Sequence, residues 1–354
     1  MAAPDLDRGP TMIDIEMTQR LPSDTPARDR AVGIALVIGA ALLLVVAIFL
    51  ISPDTLWRAA TAIAALAMLW AGAQTLGRLR FGRNFSLGVW FSAIWVGLVI
   101  FAAIFADILP IEYFKKAVLQ DRAARPALDW PQPLGRDANG TSLLSEVVYG
   151  ARISLSIMAL AILLGLVVGC LLGLIAGYFG GPLDAVINIF ATATLAFPAL
   201  ILLFAIVAVF KASIWSIGIG LAVLSVPTYT RLMRAQTISL LQREFVLSAR
   251  AMGASRRRVI FREIFPNAIL PVASYSFISA AVVIVAEGSL AYLGLGVPPQ
   301  TGPTWGSMIA DGQQTLKTNP HYVFVPAVVM FCTVLSLNRL GDWARKKVLG
   351  ENKL

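Results

Sequence analysis

The chain has 354 residues; 58% are hydrophobic, only 14% are charged, and the formal net charge is +9. A soluble globular chain carries about 25% charged residues, and the mean hydropathy here is +0.76. So few charges cannot cover a soluble domain of this length without large exposed apolar patches. Composition therefore excludes an ordinary cytosolic enzyme and a disordered protein, and makes lipid the main solvent.

In chain order, residues 1–30 come first, polar, proline-containing and mixed in charge, which predicts a disordered tail. Eight apolar runs follow, at 31–52, 56–77, 86–109, 153–178, 185–210, 213–233, 267–292 and 322–340. A helix needs about 20 apolar residues to cross roughly 30 Å of hydrocarbon, so each run predicts a span. Their continuity excludes a β-barrel, whose strands alternate. The first run is longer than a signal-peptide core and no small-residue cleavage site follows it, so it reads as an uncleaved span. The corner Lys211-Ala212-Ser213 separates the fifth and sixth runs only narrowly.

Orientation follows from Lys/Arg asymmetry. With the N-terminus inside, the segments 1–30, 78–84, 179–184, 231–266 and 339–354 face the cytoplasm, and they hold 20 of the 29 basic residues. Both termini are thus expected inside. The basic excess reads as membrane topology, with no nucleic acid implied. Residues 110–150 form the longest outer stretch, with room for a small subdomain or a helix lying on the membrane.

Cys170 and Cys332 lie in separate apolar runs and give no disulfide framework. His321 is the single histidine, so multi-histidine metal motifs are excluded. No catalytic, cofactor-binding or metal-binding set is expected. Gly135-x4-Gly140-Thr141-Ser142 lacks the lysine a phosphate-binding loop needs. Asn139-Gly140-Thr141 is a sequon on the expected outer side. Tyr and Trp near span ends, such as Trp57, Tyr178 and Tyr322, fit aromatic belts.

Gly165, Gly169, Gly173 and Gly177 recur every four residues in the fourth run. That spacing makes one helix stripe along which another helix backbone approaches closely. Spacing alone leaves two partners open: a helix of the same bundle, or a second membrane subunit. Glu287 near the end of its run is a candidate pathway or gating acid, or a structural carboxylate paired within the bundle. Trp305 and Asp311, in the outer segment after it, are candidates for the outer gate or a docking face.

The most informative segment is the inner loop at about 234–266. Leu241, Phe245, Val246 and Ala249 recur at helical spacing. Gly253 then predicts a helix stop, and Arg256, Arg257 and Arg258 follow before the chain returns to the membrane past Pro266 and Pro271. The expectation is a short helix, a glycine turn and a second short helix projecting inward, with Ala249, Ala251, Gly253, Ala254 and Ser255 small enough for close approach by a partner.

This loop resembles that of ABC-importer permeases, whose pattern is E-A-A, three residues, G, and a later I-x-L-P-like ending. Ser248-Ala249, Gly253 and Ile264-Phe265-Pro266-Asn267 are the matching positions. Further stretches are similar to the dipeptide/oligopeptide/nickel branch: PLGRDANGTSLLSEVVYGARISLSI, LLGLIAGYFGGPLD, LAFPAL, AEGSLAYLGLGVPPQTGPTWGSMIADG and LNRLGDWARKKV. The resemblance runs from about Phe85 to the end and looks like the C-type permease subunit. Three departures stand out. Leu247 and Ser248 replace the Glu and first Ala of the triplet, with Glu244 three residues earlier. The outer pattern reads Gly135-Arg136-Asp137 in place of the family's longer G-T-D form. Residues 31–77 add two spans.

The resemblance implies an all-α polytopic membrane protein, a type I ABC importer permease bundle of six core helices plus two extra N-terminal transmembrane helices, with both termini inside. The expected organisation is a tail at 1–30, extra spans at 31–84, first core helix and outer loop at 85–150, permease domain at 151–343, and a cytoplasmic tail at 344–354. Implied partners are a second homologous permease, two ABC ATPases, an extracytoplasmic substrate-binding protein and the lipid bilayer, in a prokaryotic inner membrane. The chain would hold no cofactor, with ATP and Mg on the partner ATPases. The cargo implied is short peptides, with nickel complexes or another small solute as the alternative, and a stand-alone secondary transporter as the competing class. The implied ATPase-coupling residues are Glu244, Phe245, Ser248, Ala249, Met252, Gly253, Ala254 and Ser255.

Overall fold

The computed structural model describes residues 26–49, 56–81, 85–118, 124–126 and 133–350. The predicted tail up to residue 25 lies outside the described residues. The chain divides into two compact units, Met1–Leu87 and Gly88–Leu354. Among the described residues the regular structure is helical, apart from an isolated bridge between Arg136 and Ser142.

The first unit holds α1 (Pro26–Phe49) and α2 (Leu56–Phe81), on the first two apolar runs. They pack at glycines. A Cβ on Gly33 would stand 2.7 Å from Thr75 Oγ1, and one on Gly72 would stand 2.8 Å from Val37 Cγ2. In hydrocarbon there is no hydrophobic drive between helices, so such close contact supplies the association.

The second unit begins with α3 (Leu87–Ile104) and the long α4 (Leu143–Phe179). Next come α5 (Gly181–Ala196) and α6 (Ala199–Phe210), then α7 (Ile214–Leu241) and the short α8 (Glu244–Ala251). One turn, α9 (Arg256–Arg258), leads through a π-helical stretch Val259–Ile264 into α10 (Phe265–Leu290). A second π stretch, Ala291–Leu295, precedes α11 (Trp305–Gln313) and α12 (His321–Leu349). Among the described residues four helices are long and apolar enough to cross a membrane, and a fifth crossing exists if the pair α5–α6 counts as one.

That pair corrects one expectation. Residues 185–210 are not a straight span; α5 and α6 meet at a 92° bend. The cause is Phe197-Pro198: the residue before proline is pushed out of the helical region, and Phe197 is extended at φ −79°, ψ 138°. A further corner follows at Lys211. Lys211 has φ +60°, and Ser213 then caps α7 by accepting from Ser216 N at 3.1 Å. The polar stretch Pro227-Thr228-Tyr229-Thr230 of α7 packs against protein: Tyr229 and Thr230 are fully buried.

A second correction concerns the loop. The second short helix does not stand apart; α9, the first π stretch, α10 and the second π stretch run on as one 40-residue helical segment, Arg256–Leu295. Pro266 does not interrupt it because the preceding turn is π-helical, with Phe265 N donating to Ile260 O. Proline's missing N–H is then absorbed where the hydrogen-bond register is already changing.

Buried residues form one cluster around Leu143, Val147, Ile284 and Trp305, where α3, α4, α10, α11 and α12 meet. Another, around Tyr229, Met233, Val246, Val259 and Ile264, ties α4 and α7 to the loop.

Candidate coupling surface and pathway residues

The loop's local structure follows from its sequence. α8 buries Val246 (0% exposed) and Ala249, three residues apart, and turns Phe245, Leu247 and Ser248 outward. It ends at Ala251, with Gly253 at φ +80°. Gly253 N donates to Arg250 O and Ala254 N to Ala249 O, both at 3.0 Å. This pair of bonds is a Schellman motif, which needs a left-handed residue where glycine fits without strain. A Cβ on Gly253 would meet nothing within 4 Å, so the glycine serves backbone conformation alone. Ser255 caps the next turn, accepting from Arg258 N at 3.4 Å.

Of the predicted coupling residues, Glu244, Phe245, Ser248, Met252, Gly253 and Ser255 are exposed; Ala254 is half-buried and Ala249 buried. Met252 is 80% exposed, an unusual placement for an apolar side chain. Leu247, at the position of the triplet's glutamate, is also exposed. The replacement therefore alters the surface and leaves the packing of α8 intact.

The glycine stripe lies directly behind this loop. Added Cβ atoms on Gly165, Gly169, Gly173 and Gly177 would strike successive turns of α7: Ser225, then Tyr229 and Val226 O, then Thr230 O and Met233, then Thr237 and Arg234 O. Several of these atoms are backbone. The stripe is thus filled by α7 of the same chain. Where the seam ends, Gly180 and Gly181 turn the chain at φ +63° and +59°. Arg234 then makes a two-pronged pair with Asp184, Nε to Oδ1 and one terminal nitrogen to Oδ2, each 2.6 Å. Asn188 also donates to Asp184, at 2.6 Å. Sequence reading missed this pair; its signal was an acid just after the glycine turn and an arginine near the end of the facing helix.

At the Leu143 end of α4 the structure brings distant residues together. Arg136 is 1% exposed and pairs with Glu112 at 2.9 Å, while its other terminal nitrogen donates to Gly140 O at 2.7 Å. Ser145 Oγ also donates to Glu112 O. Asp137 accepts from Asn139 N and Thr141 N, closing a tight turn. The 135–142 pattern is thus a structural clasp between the segment after α3 and the start of α4. The predicted outer subdomain consists, as described, of turns held by that clasp. Asp107 pairs with Arg152 at 2.9 Å, and that guanidinium, then the Tyr149 hydroxyl, hold the Asp107 carboxyl below its usual range. Arg152 also closes the carbonyl end of α3 through Ala103 O and Ile104 O.

Glu287 is 2% exposed. It accepts from Ser154 Oγ at 3.1 Å, and Oε1 has no hydrogen-bond partner. Trp305 overturns an expectation: it is fully buried, with Nε1 donating to Val147 O at 3.1 Å, so its ring does not face a docking protein. Large aromatic rings pack where their N–H finds an acceptor, and α4 provides one. Asp311 is exposed, and burial of its surroundings, then the charge of Asp137, raise its carboxyl above the ordinary range.

Helices of membrane length, a glycine seam and a structured basic loop define a multi-pass α-helical membrane protein. Residues 169–350 match the family described as "Binding-protein-dependent transport system inner membrane component", and the chain belongs to that family. It is 34% identical over 256 residues to the dipeptide transport system permease protein DppC of Alkalihalophilus pseudofirmus, covering 71% of this chain and 83% of that one. It is likewise 34% identical to the glutathione transport system permease protein GsiD of Pectobacterium atrosepticum, covering 60% and 70%. Among solved structures, a chain of the MetNI methionine ABC transporter aligns with TM-score 0.47 and 17% identity, covering 57% of this chain and 95% of that one.

Proposed function

We propose that this chain is the membrane-spanning permease subunit of an ATP-driven importer of short peptides. It pairs with a second homologous permease to form the pathway and has no ATPase site of its own. Two ABC ATPases bind ATP and Mg, and an extracytoplasmic binding protein delivers cargo. Both termini lie in the cytoplasm. The observation that carries this reading is the loop Glu244–Ser255, a short helix with Phe245, Leu247, Arg250 and Met252 exposed, closed by the Gly253 turn and leading into the helical segment that begins at Arg256. Motion of a partner on α8 passes across the Gly253 turn, through the shared packing of Val246, Val259 and Ile264, into the helical segment that runs from α9 to α10. The curated relatives named for dipeptide and glutathione transport support peptide cargo; glutathione is itself a tripeptide.

Purification in mild detergent tests the assembly, with two ATPases and a second permease expected to accompany the chain. Reconstituted with the binding protein in proteoliposomes, the complex should accumulate a labelled dipeptide only with ATP inside. Uptake of that dipeptide by the chain alone, without ATP and with ion gradients clamped, would instead establish a secondary transporter.

A further inference from the structure

A cavity of about 400 Å³ opens beside the coupling loop. One wall is the Tyr178-Phe179 corner at the end of α4; the other is Arg250 of α8, with Ala254, Arg256 and Val259. The Arg250 guanidinium sits 5.5 Å from the centre of the Tyr178 ring, and the Phe179 ring meets Tyr178 edge-on at 5.1 Å. Among the described residues neither Arg250 nor Arg256 has an ion-pair partner. Two like charges lining one cavity repel, and a single anion between them relieves both. Phe179, on the aromatic wall, is 53% exposed. Arginines beside aromatic rings are the residue types enriched at protein-binding hot spots.

We propose that this pocket receives a carboxylate side chain of the ATPase subunit, so that the α4–α5 corner and the coupling loop grip the ATPase together. The proposal rests on the permease reading above and adds the chemistry of the contact. Charge complementarity carries it. Between Arg243 and Glu263 the loop has six arginines and two glutamates, so the matching surface is acidic. Planar guanidinium groups pair with carboxylates in two-pronged geometry, and the Tyr178 ring holds Arg250 ready for it. Position argues against a lipid headgroup. Arg256 precedes the expected start of the span at 267 by eleven residues, roughly 16 Å of helix at 1.5 Å per residue. A 40° tilt still leaves about 12 Å, while the headgroup layer on each side is only about 5–8 Å thick.

The test uses the full complex in nanodiscs with the ATPases identified by their co-purification with the wild type. Arg250→Glu with Arg256→Glu is expected to weaken ATPase binding at least tenfold, while the second permease stays bound. Should that variant fail to assemble, Arg250→Gln with Arg256→Gln is measured across a salt series, where a flatter salt dependence than wild type is expected. A lysine at one acidic position of the ATPase groove should restore binding to the Arg250→Glu variant. Unchanged affinity in the glutamate variant, or an unchanged salt slope in the glutamine variant, overturns the proposal. Wild-type ATPase release on replacing anionic lipid by phosphatidylcholine overturns it in favour of a headgroup. A wild-type chain that binds no ATPase instead breaks the permease reading itself.

Discussion

The α4–α7 seam and the coupling loop both depend on glycine, for opposite reasons. Along the seam, Gly169 and Gly173 have ordinary helical backbone, and their missing side chains make room for the backbone of α7. At the loop, Gly253 has empty space around it and an unusual φ. The seam needs the absence of an atom; the loop needs a conformation. The same residue type therefore predicts different failures: misassembly in one region and miscoupling in the other.

The largest effect is expected at the seam. In Gly173→Val a Cβ would meet Thr230 O and Met233 Cβ. A backbone carbonyl cannot swing away, so α4 and α7 must part, costing about 1–3 kcal/mol or more. Thermal unfolding in detergent should show a clearly lowered midpoint and a several-fold loss of monodisperse protein. A wild-type melting curve would mean the two helices do not touch there.

At the loop, Gly253→Val should leave the protein assembled and impose roughly 1–2 kcal/mol of left-handed strain on α8's end. ATP hydrolysis stimulated by the binding protein is expected to continue with uptake largely lost. Gly253→Asn should retain most uptake, since asparagine visits the left-handed region. Equal uptake by the valine and asparagine variants would remove conformation as the reason for the glycine.

Between the two regions lies the Arg234–Asp184 pair. Asp184→Asn keeps the packing but removes one charge, and because both partners are partly exposed the loss should be at most about 1 kcal/mol. A small fall in melting midpoint that high salt masks is the expected signature.

The smallest effect belongs to Asp311, remote in sequence from both glycines. Its folded carboxyl titrates above the usual value, so the folded state holds its proton more tightly than the unfolded chain. Stability from that proton is present below the ordinary carboxylate range and is lost as pH rises through the raised value. Asp311→Asn should therefore raise the melting midpoint slightly at neutral pH, by about a few tenths of a kcal/mol for so exposed a group, and flatten the mildly acidic part of the pH profile. No such change would show that neither burial nor the charge of Asp137 perturbs the Asp311 carboxyl.

Much of this was legible in the sequence because lipid imposes long apolar runs and glycine spacing survives as a plain pattern. Every expected run overlaps helical structure, the run 185–210 being divided between α5 and α6, and the Gly253 stop follows the end of α8. The bend at Phe197-Pro198 was written in the sequence too, but an apolar run hides a proline when only hydropathy is weighed. Trp305 looked exposed because its neighbours are polar and turn-like; its acceptor, Val147 O, lies 158 positions away. The same distance problem hid Arg136–Glu112 and Glu287–Ser154. Such pairs arise when the bundle closes, and no local pattern announces them.

The π stretch Val259–Ile264 bears on how the molecule handles rotation. It holds hydrogen bonds one residue longer than the α-helix around it. Moving that register to the α pattern would turn everything before it by about 100° around the axis of α10, one residue's share of a 3.6-residue turn. The loop would swing round the shaft of the helix as well as ride along it. A register change at this joint would convert a twist of the loop into a new azimuth for the side chains of the span.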